Sequence, residues 1–278
     1  MSQDKPLLAF FGHHKCASTW VEDICFGVCH DLALNFKIVY EAKDFNHDLQ
    51  KYVDDNNIDF IAYANADYKY VKQLRNYRGF HVVRDPRDII VSAYFSHKHS
   101  HATHAWPELI AYREKLQAAD QDEGLHMEIE FRKEQFEEMM SWPEQDPNVL
   151  EFKMEDLTQN PFQLYIEIFR YLELLDTSDY GPYKRTQFFV TKILRKIEQK
   201  TGLSLPFAMD LFPVERLLGV VWDNDFSRKS GGRKPGQEDI NKHLRKGVPG
   251  DWMNHLKDDH VAAINERYSD VLKKYGYE

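Results

Sequence analysis

The apolar positions of this chain come in short blocks at regular intervals. Leu7–Phe11 is an unbroken apolar run, closed by Gly12 and followed by a helical stretch from about Ser18 to Asp31. A short continuous run bounded by a turn residue predicts a strand buried on both faces. The alternation then recurs. Phe36–Tyr40 predicts a strand and Phe45–Asp55 a helix; Asp59–Ala64 predicts a strand and Tyr68–Asn76 a helix. Gly79–Arg84 is strand-like again, and Asp85-Pro86-Arg87-Asp88 opens the next helix. Asp85 suits the N-cap, Pro86 the first helical position, and Asp88 the positive end of the helix dipole. His104–Met140 predicts charged helices forming a lid or side wall, and Asn148–Phe152 a further strand. Phe162–Leu174, Thr186–Lys200 and Lys257–Tyr275 read as helices, and Pro206–Trp222 as an apolar stretch packed on the core. Strand alternating with helix predicts an α/β fold, a central parallel β-sheet flanked by helices. With no repeat, low-complexity segment or linker, residues 1–278 read as a single domain.

Charge narrows the range of ligands. The net charge is −9, and a nucleic-acid binder is usually basic, so neither DNA nor RNA is expected as a partner. The acidity is not uniform. From Arg228 to Gly250 there are seven basic residues, opposed by only Glu238 and Asp239, together with five of the thirteen glycines. This composition fits a site for a small anion, and it equally fits a solvated flexible loop. No run approaches the ~20 apolar residues of a membrane span. Met1-Ser2-Gln3-Asp4-Lys5 lacks the basic and apolar regions of a secretory signal, so a cytoplasmic location is expected. The three cysteines, Cys16, Cys25 and Cys29, do not form a disulfide framework. Cys25 and Cys29 share a helix face, where buried small apolar residues are expected rather than a metal pair.

Three segments carry candidate chemistry. Gly12-His13-His14-Lys15-Cys16-Ala17-Ser18-Thr19-Trp20 joins a buried strand to a helix N-terminus. Free backbone N–H groups and the helix dipole converge there, and Lys15, Ser18 and Thr19 add a charge and two hydroxyls: a phosphate cradle. It departs from the Walker pattern, because the lysine comes early and no glycine precedes it. Arg84 ends a strand, and Ser92 lies about two turns into the helix after it. A guanidinium at the carboxyl end of a parallel strand suits a phosphate, and it equally suits a structural pair with Asp85 or Asp88. The third segment, Arg245-Lys246-Gly247-Val248-Pro249-Gly250-Asp251-Trp252, sets two cations beside a glycine.

Together these segments resemble the sulfotransferases that use 3′-phosphoadenosine 5′-phosphosulfate (PAPS). The family's first loop reads roughly P-K-[ST]-G-[ST]-[ST]-W. Lys15, Ser18, Thr19 and Trp20 match it, while Cys16 and Ala17 replace the usual small residues. Arg84 and Ser92 reproduce an arginine with a serine eight residues on, and residues 245–252 match R-K-G-x-x-G-[DE]-W. Glu155-Asp156-Leu157-Thr158-Gln159-Asn160-Pro161 is similar to the family's E-D-L-x-x-x-P segment. The resemblance implies the P-loop NTPase-like sulfotransferase fold. It implies that Lys15 stabilises charge on the oxygen bridging phosphate and sulfate, and that Cys16, Ala17, Ser18 and Thr19 hold the 5′-phosphate. Trp20 and Phe226 would border adenine, although core packing explains Trp20 nearly as well. Arg84, Ser92, Arg245, Lys246 and Gly247 would hold the 3′-phosphate. It implies PAPS as co-substrate and no metal.

One branch of the family places a histidine in a K-T-H segment after the third strand, and Ala62-Tyr63-Ala64-Asn65-Ala66-Asp67 has none there. Glu41 is the first candidate for a general base, as in branches that use a glutamate after the first helix. Asp67 is the second, and one of His97, His99, His101 and His104 the third. The histidine spacing does not suit a single metal face. Two rivals stand beside this reading: a P-loop kinase, and a PAPS-binding protein without turnover. The acceptor, whether small molecule, lipid or glycan, is not written in the motifs, and neither is the oligomeric state.

Overall fold

The computed structural model describes residues 5–104, 106–201 and 211–278. Five parallel strands form one sheet: β1 (Leu7–Phe11), β2 (Phe36–Val39), β3 (Phe60–Tyr63), β4 (Tyr77–Val83) and β5 (Val149–Lys153), in the order β2-β3-β1-β4-β5. Each lies where an apolar run predicts it, with ends shifted by one or two residues.

The helices come in chain order. The strands β1 to β4 are interleaved with α1 (Ser18–Leu32), α2 (Leu49–Asn56) and α3 (Tyr68–Val71). Between β4 and β5 come α4 (Pro86–Phe95), α5 (Glu108–Ala118), α6 (Gln121–Phe131) and α7 (Lys133–Ser141). After β5 come α8 (Met154–Gln159), α9 (Pro161–Tyr171), α10 (Pro182–Thr201), α11 (Val214–Asp223), α12 (Phe226–Lys229) and α13 (Asp258–Lys274). Two-residue strands β6 (Leu175–Asp176) and β7 (Phe212–Pro213) pair beside α9 and α11. The expected apolar stretch Pro206–Trp222 lies partly outside the described residues; from Phe212 onward it forms β7 and α11, whose Leu217 and Val221 are in the core.

The period of two along each strand sorts the core into layers. Leu8 and Phe10 of β1, Phe60 and Ala62 of β3, and Phe80 and Val82 of β4 face α1, α9 and α11. Leu7, Ala9 and Phe11, with Ile61 and Tyr63, face Leu49 and Val53 of α2. A third cluster packs α4, α6, α7 and α13 together. Both faces of the sheet are thus covered, which is why its strands read as continuous apolar runs. Cys25 and Cys29 are buried in the first layer as free thiols, as expected. No helix among the described residues is long and apolar enough to cross a membrane.

Two expected helices differ in detail. Phe45–Asp55 is interrupted: Ala42–Phe45 is a 3-10 turn, Asn46 and His47 take left-handed backbone, and Asp48 caps α2 by accepting from the Lys51 amide. Tyr68–Asn76 shortens to the single turn α3. The histidine run does not continue α4 as α-helix but widens into a π turn over Ser96–Ser100. Such turns concentrate at functional sites.

Candidate active site

The first loop leaves β1 at Phe11 and enters α1 at Ser18, and its path is fixed from both sides. The Gly12 amide donates to the Tyr63 carbonyl (2.9 Å), and the Ala66 amide donates to the Gly12 carbonyl (2.8 Å). A Cβ on Gly12 would lie 2.7 Å from the Phe10 ring and 2.9 Å from Ser18 Oγ, so only glycine fits. The Ser18 hydroxyl turns inward and donates to the His13 carbonyl (3.2 Å). Lys15 and Ala17 both take left-handed backbone, with φ of 67° and 63°. That geometry costs an L-residue ~1–2 kcal/mol, so the loop is held in strain by its surroundings. No side chain caps the N-terminus of α1, and its first turn has no acidic residue.

Arg84 immediately follows β4, is 6% exposed, and donates from Nη1 to the Lys15 carbonyl (2.9 Å). Its Nε has no hydrogen-bond partner. The pairing with Asp85 or Asp88 is resolved by the geometry. Asp85 caps α4 and binds Arg87 (2.7 Å), while Asp88 lies 3.8 Å from Arg84. Asp88 chiefly accepts from the amides of Gly250 (2.6 Å) and Trp252 (2.9 Å), which ties the third segment to α4. Arg87 stacks over Trp252 (4.2 Å). Glu155 accepts from the Asp85 amide (3.1 Å) and the Tyr277 hydroxyl (2.8 Å), so the E-D-L segment braces the start of α4.

In the third segment, Arg245 (2.5 Å) and Lys246 both ion-pair with Asp251. Burial pushes the Asp251 carboxyl up, but hydrogen bonds from His255, Lys246, Asn254 and Arg245 outweigh it and hold the group far below the usual range. Gly247, at φ +69°, lies flat on Phe226; a Cβ there would come within 2.3 Å of the ring. Thr19 Oγ1 meets His243 Nε2 at 3.4 Å, joining the first and third segments. Burial, and after it Arg84, Arg132 and Arg245, pulls the Lys15 ammonium down to about 7. Four cations therefore crowd an uncapped helix N-terminus.

Other sequence-derived candidates lie elsewhere. The Cys16 thiol is buried in the core. Trp20 packs edge-on against Tyr165 (5.5 Å) at the margin of the first layer. Ser92 is partly exposed on α4. Glu41, at the end of edge strand β2, pairs with Lys43 (2.6 Å). Asp67 caps α3 and pairs with Lys69 (2.5 Å). His99 and His104 are exposed, whereas His97 is fully buried and His101 partly so.

The dipeptide His13-His14 is what sequence reasoning passed over as a site. Each imidazole meets a second imidazole backed by a glutamate. His13 Nε2 meets His81 Nε2 (2.8 Å), and His81 Nδ1 meets Glu151 (3.1 Å). The sheet register dictates this second contact, since Glu151 is the β5 partner of His81. His14 Nε2 meets His97 Nε2 (3.1 Å), and His97 Nδ1 meets Glu128 (2.7 Å). Glu128 is legible after the fact: it falls in the Leu125–Ile129 stripe of α6, and a carboxylate on an apolar face needs a partner. Arg113 donates to the carbonyls of His97 (2.6 Å) and His101 (2.5 Å), fixing the π turn.

His14, His97 and His101 have ligand atoms within 4.8 Å of one another. The His14 and His97 ring centroids are 5.3 Å apart, against an N···N distance of 3.1 Å. The excess nearly equals two ring radii, so the nitrogens face each other along one line. That is a hydrogen bond; two ligands of one tetrahedral ion would meet at an angle.

The family model described as "Sulfotransferase domain" matches residues 11–192. Among solved structures, mouse sulfotransferase SULT7A1 complexed with PAP (3′-phosphoadenosine 5′-phosphate) superposes with a TM-score of 0.57 at 14% identity, covering 96% of this chain and 84% of that one. Retinol dehydratase, in complexes with androsterone and PAP and with retinol and PAP, gives TM-scores of 0.46 and 0.47, each at 13% identity over 97% of this chain and 81% and 82% of those. No curated protein matches the chain in sequence.

Proposed function

This chain belongs to the sulfotransferase family, and from that premise we propose that it takes the sulfuryl group from PAPS and passes it to a hydroxyl or amine of a small-molecule, lipid or glycan acceptor. The observation that carries this reading is the uncapped start of α1, where Arg84 donates to the Lys15 carbonyl and Thr19 meets His243 of the third segment.

The residues fit the donor. Free amides at Ser18 and Thr19, with the backbone of Cys16 and Ala17, suit the 5′-phosphate, and Lys15 suits the oxygen that gains charge as the S–O bond breaks. The unpartnered Nε of Arg84, with Ser92, Arg245, Lys246 and the Gly247 amide, suits the 3′-phosphate. Trp20 and Phe226 would flank adenine. A kinase would need a magnesium-binding carboxylate at the end of a strand, but Asp85 and Asp88 at β4 are engaged by Arg87 and by the third segment.

Calorimetric titration with PAP and with AMP tests the reading. PAP is expected to bind about 100-fold tighter, since charge-assisted hydrogen bonds contribute ~1.5–3 kcal/mol each. Equal affinities would sink the 3′-phosphate site and the PAPS reading with it. Gly247→Ala is expected to weaken PAP about tenfold, or ~1.4 kcal/mol, by driving Phe226 off the loop. An unchanged affinity would remove Gly247 and Phe226 from the site.

A further inference from the structure

We propose that His14 is the general base of sulfuryl transfer, its accepting nitrogen fixed by a buried hydrogen-bond chain that runs Glu128–His97–His14. The proposal rests on the sulfotransferase reading and assigns the proton-accepting group within it.

The direction of the chain is set by donor counting. An ionised carboxylate only accepts, so the His97 nitrogen that meets Glu128 at 2.7 Å, Nδ1, carries the hydrogen. A neutral imidazole has one N–H, so His97 Nε2 is an acceptor. The 3.1 Å contact then requires His14 Nε2 to donate, which leaves Nδ1 of His14 as the free lone pair. Glu128 and His97 are both sealed at 0% exposure, whereas His14 is partly exposed and immediately precedes Lys15. Only the His14 end of the chain reaches solvent, next to Lys15. The backbone is set as well: Gln135 donates to the His14 carbonyl (2.7 Å), and Arg132 in turn donates to Gln135 (3.1 Å).

The neighbouring chain is an internal contrast. Glu151–His81–His13 has the same chemistry, but His13 is 0% exposed and its Nδ1 is buried without a partner. It holds the loop and meets no acceptor. Glu41 and Asp67 are engaged by Lys43 and Lys69.

The groups facing His14 are Lys15 on its own loop, Arg132 at the end of α6, and His97 and His101 from the π turn. Arg113 and Glu128 stand behind them. Burial first, and then the positive charges around it, Arg132 foremost, hold His14 well below its ordinary value, so it is neutral and able to accept at pH 7. In the step itself the acceptor O–H (or N–H) bond breaks and a bond from that hydrogen to His14 Nδ1 forms. The freed pair attacks sulfur. The bond from sulfur to the bridging oxygen breaks, and its electrons stay on the 5′-phosphate of the departing PAP. The imidazolium, its charge balanced through His97 by Glu128, returns its proton to solvent.

Long-range proton–nitrogen NMR of the imidazoles reads the tautomers directly and needs no acceptor. The expected pattern is Nδ1–H on His97 and Nε2–H on His14; a proton on His14 Nδ1 overturns the proposal. Hydrolysis of radiolabelled PAPS, with water as acceptor, gives the second readout. His14→Gln keeps a donor toward His97, so PAP affinity should stay within about threefold while hydrolysis falls ~100-fold or more. Hydrolysis at the wild-type rate overturns the proposal. Glu128→Gln removes the charge and keeps an acceptor, so the acid limb of the pH profile moves to lower pH. A limb that stays in place removes Glu128 as a positioning residue and overturns the chain. A wild-type protein that does not bind PAP overturns the underlying reading, and the base assignment falls with it.

Discussion

Lys15→Ala is expected to lower the rate of sulfuryl transfer about a thousandfold and to leave PAP bound. The rate effect comes from where charge develops. Removing one preplaced donor from a developing oxyanion costs ~10²–10³ in rate, and Lys15, when protonated, brings a full charge to a partly exposed position. Binding survives because Arg84, Arg245 and the α1 amides remain. A second signature separates Lys15 from a merely structural cation. Its ammonium titrates near 7 before the ligand arrives, depressed by burial and by Arg84, Arg132 and Arg245. A bound anion raises that value, so the wild type takes up protons on binding PAP near neutrality. Its affinity is full below pH 7 and falls as pH rises through the bound-state value. Calorimetry in buffers of different ionisation enthalpy measures the uptake. The alanine variant should show none from this group, and an unchanged uptake would assign the titration elsewhere.

Arg84→Ala is expected to weaken PAP about 100-fold or more and AMP far less. Truncating one partner of a buried charged pair costs ~2–5 kcal/mol, and Arg84 makes two connections. Its Nη1 holds the carbonyl of Lys15 and its Nη2 lies 3.8 Å from Asp88, while its Nε stands without a partner. The ratio of the two nucleotides separates these roles. A loss confined to PAP places Arg84 on the 3′-phosphate, whereas an equal loss for AMP shows that it acts by holding the first loop. Arg84→Lys, which keeps the charge and loses the planar fork, should sit close to alanine.

The strands were legible because a strand buried on both faces reads as an apolar run whatever its neighbours. Helix ends were less so. Asn46 and His47 break the helix expected over Phe45–Asp55 by taking left-handed backbone, a break that Asp48 makes possible by capping α2 immediately after it. The three candidate segments could be singled out because each is contiguous in the sequence, and the first two join a strand to a helix. The paired histidines could not. His13 meets His81 across 68 residues and His14 meets His97 across 83, so only strand order and the π turn bring them together. The sequence also made His97 one of four equivalent candidates. Burial singles it out, and burial depends on α5 and α6 closing over it.

The bond from Asp88 to the amides of Gly250 and Trp252 spans 162 and 164 residues. Contacts of such separation form late, because a long loop must close before they are rewarded. During synthesis the first two segments emerge and take up their places on the sheet while Arg245, Lys246 and Gly247 are still inside the ribosome. A nascent chain therefore brings the first loop, Arg84 and Ser92 together before Arg245, Lys246 and Gly247 can join them. On the proposed reading, the donor site is complete only once residues 245–252 have docked on α4 through Asp88.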